Sequence, residues 1–174
     1  PPNGQARPLF PWVAPLILAI VLTCASPAIS GGPKSAEQQH EPEVSRAEQQ
    51  ILQRARKLSS DNRTEAIKLL REKIDSESSA ALPFALGVYY WEKEDLQKAS
   101  NAFKDALERK AHFHRARLNL VKTLFDRTRY KASIPHLTRL LNSDYDDKKK
   151  LWRLLGYAHS MNGDAVAAEQ AYRI

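Results

Sequence analysis

Four columns of residues recur at one spacing through the second half of this chain of 174 residues. Leu86, Leu120 and Leu155 are separated by 34 and then 35 residues, and the same steps link Tyr90, Leu124 and His159. Ala99, Ser133 and Ala168, all small, keep the same steps, as do Phe103, Leu137 and Tyr172, all large. Such a period restricts the chain to an array of repeated supersecondary units. One helical pair cannot cover its own apolar face, so each unit must stack on a neighbour. Small residues at Gly87, Ala99, Gly156 and Ala168 let helix backbones approach closely. Leu86, Tyr90, Phe103, Trp152 and Tyr172 supply the bulk between successive helices.

These residues resemble the tetratricopeptide repeat, which places Trp, Leu-Gly and Tyr on a first helix and Ala, Phe and Ala on a second. Over 80–113 the matches are Leu86-Gly87, Tyr90, Ala99, Phe103 and Ala106, with Pro83 at the usual Trp place and Ala111 at the usual Pro place. Over 149–174 they are Trp152, Leu155-Gly156, Ala168 and Tyr172, with Gly163-Asp164 at the turn and His159 replacing the Tyr. The unit at 114–148 is degenerate: Val121 replaces Gly, Ser133 replaces Ala, and Leu137 and Leu140 take the large places. The segment 46–79 is a weak fourth candidate, carried by Ala66 and Leu70. The resemblance implies an all-α fold of antiparallel helix-turn-helix repeats stacked as a right-handed α-solenoid. It also implies a concave face, lined by first helices, that receives extended peptides or partner helices.

Before the repeats, the sequence changes character twice. No charged residue lies between Arg7 and Lys34, and the apolar heart runs over 10–22. Small and polar residues follow, so residues 1–30 read as a cleaved secretory signal. An uncleaved membrane anchor competes with this reading. A helix over 11–26 would reach only about 24 Å at 1.5 Å per residue, and Pro15 interrupts it. Cys24 in Val21-Leu22-Thr23-Cys24 is a candidate lipidation site, because the run resembles a bacterial lipoprotein signal. All three readings export the rest of the chain, or anchor it facing away from the cytoplasm. Residues 31–45 are rich in Gly, Pro, Gln and Glu and read as a flexible linker. Helices are then expected over 46–58 and 64–74, with Ser59-Ser60-Asp61-Asn62 breaking the first and Asn62 or Thr64 capping the second. Ile174 falls midway through a second helix, so further repeats and an exposed apolar end are expected.

Charge gives the array its candidate surface. Lys+Arg number 27 against 20 Asp+Glu, a net +7, and much of the excess gathers at Arg115, Arg117 and Lys122 and at Lys148–Arg153. By the resemblance, Arg115, Asn119, Lys122, Lys150, Arg153 and Tyr157 face the groove and would receive an acidic protein or peptide. The carboxylate clamp of the chaperone-binding members is not reproduced: Asn119 and Lys150 fit it, whereas Phe84, Val88 and Leu154 depart.

Other chemistries find little support. The single Cys excludes an internal disulfide framework and a multi-cysteine zinc site. The five histidines, at 40, 112, 114, 136 and 159, are read as solvent or turn residues and not as a metal-ligand set. No nucleophile elbow, His-Glu-x-x-His pair or Gly-rich phosphate loop occurs, so no enzyme activity or cofactor is expected. Tyr89 and Trp91 are read as packing against the next repeat or as a stacking platform, with no strand motif to support nucleic acid. The expected function is a non-enzymatic protein-interaction scaffold outside the cytoplasm. The alternatives are a docking segment of a larger enzyme or export machine, and a binder of anionic polymer.

Overall fold

The computed structural model describes residues 40–173, all within one unit spanning Lys34–Ile174. The readings made for residues 1–39, Cys24 among them, lie outside the described residues. Within them the chain forms eight helices and no strand: α1 (Arg46–Asp61), α2 (Arg63–Lys73), α3 (Ala81–Glu92), α4 (Leu96–Arg109), α5 (His114–Asp126), α6 (Tyr130–Leu141), α7 (Lys148–Met161) and α8 (Ala165–Tyr172). Each helix packs on its neighbour in chain order, the layout of an α-solenoid.

The turn inside each repeat is one device used three times. Glu94, Thr128 and Gly163 occupy the left-handed region at φ of 60°, 55° and 81°. Their spacing repeats the steps of the residue columns. Behind each of them a backbone amide reaches back to close the first helix: Asp95 to Tyr90 at 3.0 Å, Arg129 to Leu124 at 2.8 Å, and Asp164 to His159 at 2.9 Å. This is the six-to-one bond of a Schellman cap. The column of Tyr90, Leu124 and His159 thus supplies the carbonyls that end the first helices. The second helices then start on side-chain caps where the sequence permits. Asp95 accepts from the Lys98 amide at 3.2 Å and Asp164 from the Ala167 amide at 3.0 Å. Arg129 stands at the corresponding place in the middle repeat and caps nothing.

The close approach of helices within a pair is set by a small residue facing a large one. A Cβ added at Gly87 would lie 2.7 Å from the Phe103 ring, and one at Gly156 would lie 2.6 Å from the Tyr172 ring. In the middle repeat both partners change together: Val121 and Leu137 take these places, and both are fully buried in one apolar cluster. The unit that reads as degenerate is a compensated one, in which bulk has moved from the second helix to the first. Ser133, the polar member of the small column, is buried with its hydroxyl donating to the Tyr130 carbonyl at 2.6 Å.

The first pair differs from the rest. The expected break at Ser59 does not occur, and α1 runs on to Asp61. The Ser59 and Ser60 hydroxyls donate to the Arg56 and Lys57 carbonyls, each at 2.8 Å, so both serines are satisfied within the helix. Asn62 alone makes the turn: its amide closes α1 on Leu58, and its side chain caps α2 through the Thr64 amide at 3.0 Å. The α1–α2 pair is joined to the next one by polar contacts. Glu48 accepts from the Ser79 amide at 2.6 Å, and the Arg109 guanidinium donates to the carbonyls of Asp75 and Ser78. Large hydrophobics left exposed among the described residues are Met161, Val166 and Tyr172, all at the α7–α8 end. No described helix is long and apolar enough to cross a membrane.

Candidate partner-binding groove

Helices α5 and α7 carry the six residues expected in the groove. Arg115, Asn119 and Lys122 follow one another along one stripe of α5, each half-buried. Lys150, Arg153 and Tyr157 do so along α7, with Arg153 exposed. The two stripes approach at Lys122 and Lys150. Burial pushes the Lys122 ammonium below its ordinary range, the Lys150 charge lowers it further, and Asp126 partly offsets both. A partly desolvated lysine beside a second cation is stabilised by any carboxylate brought to it.

Aromatic rings close the strip at Tyr157. Phe125 of α5 stacks on Tyr157 with centroids 5.8 Å apart, and Tyr130 at the start of α6 meets Tyr157 edge-on at 5.7 Å. Burial and a hydrogen bond with Tyr157 raise the Tyr130 hydroxyl above its ordinary range. Phe125 and Tyr130 were not among the expected groove residues. One signal was present, since Trp91 and Phe125 are 34 apart and each follows a member of the Tyr90 column. Trp91 itself donates to Asp126 of the next repeat at 2.8 Å, so it packs forward along the array.

Arg117 and Arg115 of the basic cluster are engaged within the array. Arg117 is 5% exposed, and its guanidinium donates to the Ala111 carbonyl and meets His136 Nδ1 at 3.5 Å. It is an interior residue and adds no surface charge. Burial, followed by the charges of Arg117, Arg139 and Lys104, holds His136 neutral, its pKa lowered to about 4. Arg115 lies over the Phe84 ring at 5.7 Å and pairs with Glu41 at 3.3 Å. A carboxylate from the segment preceding α1 therefore already sits at one end of the strip.

Beside that contact the histidines depart from expectation. Their spacing along the sequence forms no ligand set, yet His40 and His114 stack with ring centroids 3.9 Å apart and planes 19° from parallel. Asp144 joins them, with its oxygens 2.8 Å from His40 Nε2 and 3.8 Å from His114 Nε2. Burial and the adjacent His40 lower the pKa of His114. Helical spacing tests only neighbours on one helix, whereas these three residues come from three separate parts of the chain.

Comparison with known proteins agrees with this architecture. The tetratricopeptide repeat family model matches residues 90–158. Among solved structures, a double mutant titled MamA RS-1 ArsTM is similar at 18% identity and a TM-score of 0.63, covering 74% of this chain and 73% of that one. MamA 41-end from Desulfovibrio magneticus RS-1 is similar at 18% identity and a TM-score of 0.58, covering 75% and 76%. MamA AMB-1 gives 15% identity and a TM-score of 0.57, covering 71% and 74%. At such identities the likeness carries the fold alone. No curated protein matches the chain. The repeated turns, the paired small and large residues and the family match agree that residues 90–158 of this chain are similar to tetratricopeptide repeats.

Proposed function

We propose that the array is a non-enzymatic scaffold that binds an acidic protein segment along the strip from Arg115 to Tyr157. The observation that carries this reading is the half-buried Lys122 beside Lys150, where desolvation and like charge together favour an incoming carboxylate. Glu41 on Arg115 gives support, because it is a carboxylate of a non-helical segment seated on the same strip. The aromatic wall of Phe125 and Tyr157 offers the apolar contact such a segment needs to fix its register. The leader-like residues 1–30 support a scaffold that works outside the cytoplasm, and the mass of the mature N-terminus tests that part.

Charge reversal at Lys150 and Arg153 tests the groove. Binding of a fluorescent Glu-rich peptide should weaken at least about tenfold in K150E/R153E, the scale set by losing paired charges at an interface. Unchanged affinity would sink the basic-groove reading. A polyanion such as heparin that outcompetes the peptide, with a steep salt dependence and no regard to sequence, would favour the anionic-polymer alternative.

A further inference from the structure

His40, His114 and Asp144 have no part in the groove reading, and their convergence is specific. His40 belongs to the segment before α1, and His114 is the first residue of α5. Asp144 lies in the loop between α6 and α7, residues 142–147, which is longer than the α4–α5 loop at 110–113. That longer loop accompanies the single step of 35 where the repeat otherwise keeps 34. The one break in the period therefore supplies the carboxylate that faces both imidazoles.

The chemistry of the three groups is that of a metal site. Each offers one ligand atom, and these atoms lie within 4.8 Å of one another. Imidazole nitrogen with carboxylate oxygen suits zinc and its neighbours in the first transition row, and does not suit calcium or magnesium. Three protein ligands with water as the fourth match a tetrahedral zinc site with one open position. Zn–N distances of 2.0–2.1 Å imply a tetrahedral edge of about 3.3 Å, so the ligands must close by up to about 1.5 Å. Two of them can move: Asp144 is exposed on its loop, and His40 lies outside every helix. His40 also has a donor atom to spare. With Nε2 given to Asp144, its Nδ1 is buried and meets no hydrogen-bond partner among the described residues.

We infer that His40, His114 and Asp144 form a binding site for a zinc-class divalent cation, which clamps the segment before α1 onto the start of α5 and the α6–α7 loop. The clamp lies next to the Glu41–Arg115 pair, so metal binding would also hold Glu41 at the end of the basic strip.

The test is calorimetric titration of the full 174-residue chain with Zn(II), paired with the visible spectrum of Co(II) in its place. One metal per chain is expected, with the intense absorption of tetrahedral Co(II). H40A and D144N should each weaken binding by more than the roughly 10- to 100-fold that outer-shell partners alone are worth. H112A, the exposed neighbour, should bind as the unchanged chain does. Neither His40 nor Asp144 lies in a helix, so circular dichroism should show all variants folded. Zinc should also slow proteolysis within residues 40–45 in the unchanged chain and not in H40A. Absence of binding, or equal binding in H40A, D144N and H112A, overturns the inference and leaves the trio a packing contact.

Discussion

Gly87 and Gly156 hold equivalent places, yet substitution at them should have opposite consequences. Alanine in place of glycine inside a helix ordinarily gains up to about 1 kcal/mol. At Gly87 the added methyl meets a Phe103 ring that is 1% exposed and enclosed on all sides. At Gly156 it meets Tyr172, which is 53% exposed and free to swing outward. G87A should therefore lose about 1–3 kcal/mol, the usual cost of overpacking, while G156A should be neutral or gain. Urea denaturation of the two variants gives the comparison, and equal effects would contradict the packing account. The middle repeat should obey the same rule, with L137F destabilising alone and recovering when V121G is added.

At the scale of helices and turns, the middle repeat carries a strained, uncapped turn. Thr128 is β-branched and sits at a positive φ of 55°, a position that suits glycine. Arg129 follows it where Asp95 and Asp164 cap the other second helices. T128G/R129D would copy the Gly163-Asp164 turn of the last repeat into the middle one. It should stabilise the chain by about 1–2 kcal/mol, from relief of left-handed strain and a new N-cap. A thermal melt no higher than that of the unchanged chain would show that the strain is absorbed elsewhere.

These elements also show what the sequence made legible. The columns at Leu86, Tyr90, Ala99 and Phe103 located three helix pairs, because packing between neighbours imposes one period on each contact. The same logic marks the middle unit as degenerate at Val121, and the structure adds that Leu137, smaller than Phe103 or Tyr172, makes room for it. Ser59 and Ser60 read as a break because their preference for turns is local, and satisfaction of a hydroxyl by the preceding turn leaves no mark in the sequence. The six residues that the resemblance places in a groove lie in register along α5 and α7. Phe125, Tyr130 and the meeting of His40 with His114 and Asp144 depend on how distant segments fold together, which a period does not encode.

For the whole molecule, the proposed basic strip follows from the order of stacking. First helices placed side by side bring Lys122 of one repeat next to Lys150 of the following one, so a charge pair that no single helix contains becomes a surface property of the array. Second helices contribute little to that strip beyond the Tyr130 edge. A partner read by this surface should therefore touch alternate helices. Hydrogen exchange measured with and without a saturating Glu-rich peptide tests this most directly. The account predicts new protection confined to His114–Asp126 and Lys148–Met161, lost in K150E/R153E, with Leu96–Arg109 unchanged. Protection spread over the second helices, or none anywhere, would contradict it.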